Sequence, residues 1–294
     1  MIIVKLTGGL GNQMFQYAAG RRLAHIHATQ LKFDLSWLGT ERPNITTRNY
    51  MLAPFSIKGE SASTLEQATV ADPEYSPLMR FLTRLTPFRR QSHIREKCFR
   101  FDPSILTLSD NVYLDGYWQS ERYFADAADH IRSDFTIRTA PDGRNGEVAA
   151  AINECAAVSV HIRRGDYVTD AKTAAFHGIC PIEYYHEAVK AIAKRVAKPH
   201  FFVFSDDPTW VREQISIPHP LTIVDHNGPD LAHEDLRLMS LCRHQIIANS
   251  SFSWWGAWLN PRPDKIVIAP SRWFNDPAVE TSDLIPASWL RLPL

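Results

Sequence analysis

The sequence predicts an α/β protein in two lobes with a cleft between them, and three observations carry that prediction. The chain has 294 residues, and hydrophobic cores tend to split beyond about 250. Short apolar runs alternate with amphipathic stretches, most regularly in the second half, which is the pattern of parallel strands covered by helices on both faces. Between the halves, Pro141-Asp142-Gly143-Arg144-Asn145-Gly146 combines turn formers with no hydrophobic period. That stretch reads as a linker and divides the chain into lobes of residues 1–143 and 144–294, with the last segment expected to pack back on the first lobe.

Ile2-Ile3-Val4-Lys5-Leu6 reads as a buried strand, followed by the glycine turn Gly8-Gly9-Leu10-Gly11-Asn12. A helix from Gln13 to about Ala28 then turns Met14, Tyr17, Ala18 and Leu23 inward. The pattern weakens from Leu38 to Ala71. A basic stretch holds Arg80, Arg84, Arg89, Arg90, Arg95, Lys97 and Arg100 against Glu96, and reads as solvated loop and helix. Val112–Trp118 is a strand and Glu121–Phe135 a helix. Strands are expected over Ala156–Arg163, His200–Phe204, Leu221–Val224, Gln245–Ala248 and Lys265–Ala269. Helices are expected over Ile182–Val196, Leu231–Arg243 and Ser251–Leu259.

Composition excludes several classes. With 45% hydrophobic, 22% charged and 11% aromatic residues, the chain is neither disordered, collagen-like nor a coiled coil. Basic and acidic residues balance at 32 each, so no global field draws it to nucleic acid. Cys98, Cys155, Cys180 and Cys242 form no C-x-x-C pair, against both a zinc site and a disulfide framework. A reducing cytoplasm is expected, as no apolar run approaches the roughly 20 residues of a membrane span and Met1–Val4 is too short for a signal core.

Ligands of an open parallel sheet bind beyond the carboxyl ends of its strands, which singles out five places. The turn at Gly9 and Gly11 brings backbone N–H groups to a helix start beside Asn12, a geometry for an anion or a sugar. It lacks the dinucleotide fingerprint, because Met14 stands where the third glycine would be. Along Val158–Arg163, alternation puts Ser159, His161 and Arg163 on one face and Val160, Ile162 and Arg164 on the other. One arginine can then grip phosphate while its neighbour pairs with a carboxylate such as Asp166. Ser205-Asp206-Asp207-Pro208 suggests an acidic metal loop but reads better as a helix cap with Pro at the first position. No D-x-D occurs in the chain, so the usual handle for a cation on a nucleotide diphosphate is missing. Leu231, Asp235, Leu238 and Cys242 form an apolar helical stripe containing one carboxylate, which must meet a donor pair, either a guanine edge or a protein group. Finally, Ser250, Ser251 and Phe252 open an aromatic helix whose N–H groups and hydroxyls suit an anion, with Trp254, Trp255 and Trp258 as core.

Together these segments resemble a known family. Leu6–Tyr17, Gly116–Glu121, His161–Tyr167 and Asn249–Trp255 are similar to the bacterial-type α-1,2-fucosyltransferases of glycosyltransferase family 11. The resemblance implies a GT-B architecture of two Rossmann-like lobes and metal-independent, inverting transfer of fucose from GDP-β-L-fucose to O2 of a terminal galactoside, in surface glycan synthesis. It implies that Arg163 binds the β-phosphate and that His161 lines the donor pocket. Asp235 would take the guanine edge, Ser250, Ser251 and Phe252 would frame the phosphates, and Asn12 would reach the fucose or the donor phosphate. Gly9, Gly11 and Ser205 complete the donor-binding set; Asp166 or Asp170 is the candidate base from its place near the motif, and a substrate oxygen could serve instead. No metal and no cofactor is expected; the partners are GDP-fucose and a galactose-terminated oligosaccharide. Transfer in another linkage, such as α-1,6 to GlcNAc, use of a different GDP-sugar, and a non-catalytic GDP-sugar-binding protein stay open. So does peripheral association of the basic stretch with an inner membrane.

Overall fold

Two sheets, each paired in parallel throughout, organise the described residues, which in this computed structural model are 1–41, 46–70, 92–165 and 171–294. The α/β class is as the sequence predicts. The chain divides into a first unit of Met1–Arg138 with Ser282–Leu284, and a second of Thr139–Thr281 with Ile285–Leu294. Each carries a Rossmann-like sheet, as a GT-B protein requires of its two lobes.

In the first unit, β1 (Ile2–Lys5) lies between β2 (Leu31–Asp34) and β5 (Val112–Asp115), with β3 (Glu60–Ser61) and β4 (His93–Arg95) at the edges, in the order β3-β2-β1-β5-β4. Helix α1 (Leu10–Ile26) crosses from β1 to β2 and is buried along nearly its whole surface. Its polar groups must therefore find partners. Arg22 forks onto Asp126 (Nε to Oδ1 3.0 Å, Nη2 to Oδ2 2.6 Å). Asp134, at the end of α3 (Ala128–Asp134), accepts on one oxygen from Arg21 Nε at 2.7 Å and the Tyr17 hydroxyl at 2.8 Å. Helix α2 covers Thr64–Val70, its start capped by reciprocal bonds between Ser63 and Glu66.

The second unit opens with α4 (Gly143–Asn153) and β6 (Ala156–Ile162). It continues through α5 (Ala171–His177), α6 (Ile182–Ala193), β7 (Pro199–Ser205), α7 (Pro208–Gln214), β8 (Leu221–Val224), α8 (Ala232–Leu241), β9 (His244–Ile246), α9 (Ser251–Leu259), β10 (Val267–Pro270) and β11 (Leu290–Leu292). The sheet order is β11-β10-β9-β6-β7-β8. Val158, Val160 and Ile162 of β6 pack in one core with Tyr184, Ala188 and Ile192 of α6. Trp254, Trp255 and Trp258 are buried, as expected of core residues.

Several elements differ from the sequence reading. Helix α1 starts at Leu10 rather than Gln13, because Gly9 already serves as its N-cap. Pro141–Gly146 is not a linker throughout: Gly143 to Gly146 form the first turn of α4. The expected helix over Glu121–Phe135 is broken into two 3-10 turns before α3. Leu231 leaves the apolar stripe; it ends a 3-10 turn and is 43% exposed, while Glu234 takes a buried place. Strands β2, β3, β4 and β11 and helices α2, α4 and α5 were not anticipated, and β4 puts Arg95 of the basic stretch in a strand, not in loop or helix, because Ile94 is buried beside β5. Residues 71–91 of the basic stretch lie outside the described residues. Among the described residues no helix is long and apolar enough to cross a membrane.

The Asp134 junction supplies a test. Its side chain and that of Arg21 are nearly fully buried, so Asp134→Ala strands a buried guanidinium. A loss of about 3–5 kcal/mol in unfolding free energy is expected, measured by urea denaturation.

Candidate functional site

In the second sheet the chain leaves β6 toward β7 and β8 on one side and returns to β9, β10 and β11 on the other. The topological switch point, where open α/β sheets take their ligands, therefore lies between β6 and β9. Two of the sequence-predicted segments stand there. Arg163 and Arg164 follow β6, and Asn249, Ser250 and Ser251 follow β9, with Val160 paired to Ile246 in register. The His161 and Phe252 rings lie 5.5 Å apart.

His161 is buried and its Nδ1 has no hydrogen-bond partner. Burial, reinforced by the charge of Arg163, pushes its pKa down to about 3, so at neutral pH its ring is uncharged. Ser250 caps α9 with its backbone; its hydroxyl makes no capping bond. The Asn249 amide donates to the carbonyls of His177 (2.9 Å) and Trp273 (3.1 Å), and the buried Tyr184 hydroxyl donates to Ile247 O at 2.7 Å. These bonds fix the chain as it enters α9.

The two arginines have separate partners, both from the loop after β7. Arg163 Nη1 lies 2.9 Å from Asp206 Oδ2. Arg164 Nε lies 3.2 Å from Asp207 Oδ2, and its guanidinium stacks 3.9 Å over the Trp210 ring. Asp207 also caps α7, accepting from Trp210 N at 3.1 Å with Pro208 following. The capping reading of Ser205–Pro208 thus holds, and the carboxylate beside Arg164 among the described residues is Asp207. Asp166 and Asp170 lie outside the described residues. Ser205 accepts from Asp207 N at 3.0 Å, within the same loop. Among the described residues no group of three His, Cys, Asp or Glu side chains converges to hold a metal ion.

Asp235 meets a protein donor. Asn227, after β8, donates to Asp235 Oδ1 at 2.8 Å and to Asn145 Oδ1 at 2.9 Å. His226 shares that Asn145 oxygen. Burial pushes the Asp235 carboxyl up to about 6 despite the Asn227 bond. Sequence reasoning missed Asn145, His226 and Asn227, which lie in turn-like segments carrying no periodic signal.

In the first unit, Gly8 adopts φ +73°, a conformation that disfavours a side chain. Gly9 caps α1, Gly11 is buried inside it, and Asn12 sits in its first turn. Two buried glutamines, quoted in the motif but given no role, hold this loop. Gln16 accepts from Thr7 N at 2.9 Å and donates to its hydroxyl at 2.8 Å. Gln13 donates to Gly8 O and Asn49 O and accepts from Met51 N. The Gln119 amide donates to Asn12 Oδ1 at 2.9 Å. A buried Gln on an otherwise apolar helix face is the signal that could have marked this clamp.

Comparison with known proteins bears on the whole chain. The sequence model of the family described as glycosyl transferase family 11 matches residues 1–292. The chain is similar to an α-1,2-colitosyltransferase of Escherichia coli, at 32% identity over 99% of each protein. It is similar to the O-antigen biosynthesis glycosyltransferase WbnK of Escherichia coli, at 30% identity over 98% of this chain and 99% of the relative. Galactoside α-(1,2)-fucosyltransferase 1 of Bos taurus is 24% identical over 86% of this chain and 64% of its own. A crystal structure of NodZ α-1,6-fucosyltransferase soaked with GDP-fucose aligns with a TM-score of 0.49 and 15% identity, over 91% of this chain and 94% of that one.

The Asp235 shift predicts a pH effect on stability. Its pKa is higher folded than unfolded, so the stability it contributes is present below about pH 4 and lost as pH rises through about 6. Asp235→Asn stays neutral and keeps its Asn227 partner. Its unfolding free energy should overtake that of the wild type by about 1–2 kcal/mol between about pH 4 and pH 7, after allowance for partial solvent screening, read from denaturant melts across that range.

Proposed function

Since the chain belongs to glycosyltransferase family 11, we propose that it is a galactoside 2-α-L-fucosyltransferase. It would transfer L-fucose, with inversion and without a metal ion, from GDP-β-L-fucose to the 2-hydroxyl of a terminal β-galactoside of an O-antigen-like surface glycan. The observation that carries this reading is the placement of Arg163 and of the Ser250–Phe252 helix start on either side of the switch point between β6 and β9.

The chemistry asks for stabilisation of a departing diphosphate as charge grows on its bridging oxygen. Arg163 supplies a permanent charge and a forked donor. Ser250, Ser251 and Phe252 supply helix-terminal N–H groups, which attract anions. The chain has no D-x-D to place a cation there, so protein groups carry the neutralisation. Neutral His161 would line the pocket without repelling the sugar cation that develops at the transition state. Asp235, already near an amide donor, would take the N–H edge of guanine. Asn12, with the N–H groups around Gly9 and Gly11, is assigned to the donor sugar, and Ser205 to the donor from its place after β7. Asp166 is the candidate base for the acceptor hydroxyl.

A second reading changes only the donor. The 32% identical relative is named for colitosyl transfer, and colitose is fucose without its 3-hydroxyl. The deciding experiment incubates the protein with GDP-fucose or GDP-colitose, EDTA and an array of galactose-terminated oligosaccharides, reading product mass and linkage by NMR. A 2-linked fucoside made in EDTA is expected. Product from GDP-colitose alone selects the second reading, a 6-linked fucoside on GlcNAc the α-1,6 alternative, and donor binding without GDP release a binding protein.

Arg163→Ala should cost turnover by at least about a hundredfold, while the unfolding midpoint stays near that of the wild type. Turnover retained in this variant refutes the role assigned to Arg163.

A further inference from the structure

The first sheet has a switch point of its own. From β1 the chain adds β2 and β3 on one side, then β5 and β4 on the other, so the carboxyl ends of β1 and β5 flank the place where such a sheet takes a ligand. Thr7 lies just past β1, and Gly116, Tyr117 and Trp118 lie just past β5. Tyr117 is 38% exposed. Its ring lies 12° from parallel to that of Phe99, with centroids 6.1 Å apart, and its phenol interacts with the Thr7 side chain.

The turn that presents this ring is held under tension. Trp118 has φ +56°, a left-handed backbone that is a genuine outlier for a bulky residue and tends to be kept at ligand sites. Glu96, past the end of β4, accepts from Tyr117 N at 2.6 Å and Trp118 N at 3.0 Å. A Cβ on Gly116 would come within 2.4 Å of Glu96 Cβ, so glycine lets the carboxylate reach both amides. At the rim, Asp115 lies 3.8 Å from His93 Nε2, 3.4 Å from Lys5 Nζ and 3.5 Å from Arg95 Nε. These neighbours hold its carboxyl down at about 2, so it stays ionised and accepts hydrogen bonds at any relevant pH.

A part-exposed ring with a fixed carboxylate two residues before it, close enough to act on its phenol electrostatically, suits a hexopyranose, whose C–H groups pack on an aromatic face while its hydroxyls need acceptors at the edge. In a galactoside the axial 4-hydroxyl gathers the C–H groups of one face together. We propose that Tyr117 is the stacking platform of the acceptor-sugar subsite and that Asp115 accepts a hydrogen bond from a hydroxyl of the same sugar. The proposal rests on the transfer reading above and adds the acceptor's seat. Gln119, two residues on, ties the same turn to Asn12, the residue assigned to the donor sugar.

The test separates the two readings. Saturation-transfer NMR of methyl β-galactoside reports on the platform without turnover, and steady-state kinetics with a galactoside acceptor report on transfer. For Tyr117→Ala and Tyr117→Leu, the saturation-transfer signal should vanish and the acceptor KM should rise about tenfold. Tyr117→Phe keeps the ring and should keep the galactoside saturation-transfer signal, and GDP affinity by calorimetry should stay within about twofold in all three. An unchanged galactoside signal in the alanine and leucine variants, or no signal in the wild type, overturns the proposal. Galactoside binding with no transfer in the wild type leaves the platform standing and sinks the transfer reading.

Discussion

Parallel pairing is the constraint on which the rest depends. A parallel strand delivers its carboxyl end to the same edge as its neighbours, and its return connection must cross the sheet. Both sheets send chain in two directions from one strand, β1 in the first and β6 in the second. Each therefore has one place where the connections part and backbone groups face no covering helix. The motifs follow those strands and their neighbours across the switch points: the glycine turn after β1 and Tyr117 after β5 in one unit, the arginine pair after β6 and the Ser250 turn after β9 in the other. Their positions are consequences of topology before they are consequences of chemistry.

At such a position polar groups are desolvated, so each needs a partner. Buried glutamines fix the glycine turn, Asn249 and Tyr184 fix the entry to α9, and Asn227 holds Asp235. The result is a set of backbone donors and side chains held in place by neighbours that need touch no ligand. Such preorganisation lowers the reorganisation that transition-state stabilisation would otherwise demand.

The sequence made the fold class legible because apolar strands β1, β5, β6, β7 and β8 are short, continuous and bounded by turn formers. The two-residue β3 and the exposed β11 have no such signature; tertiary pairing alone makes them strands. The break of the expected helix after Glu121 was hidden because Ser120 and Phe124 act as caps without a glycine or proline nearby. In the site, residue types pointed to the strand ends that flank the switch point, and the Asp207 cap followed from Pro208. The pairing of Arg163 with Asp206 was not legible, since it joins loops after different strands and depends on the register of β6 against β7. Glu96 was visible as a lone acid in a basic stretch, but its two backbone bonds exist only because β4 lies beside β5.

The Arg163–Asp206 pair gives the second unit a resident competitor. An anion arriving at that guanidinium has to outbid a tethered carboxylate at very high local concentration. Chloride or a single free phosphate, held by nothing else, is poorly placed to do so. A diphosphate anchored through an attached base would arrive with the same advantage of tethering. Exchange of counter-ions at such a pair disfavours small free ions relative to a tethered anion.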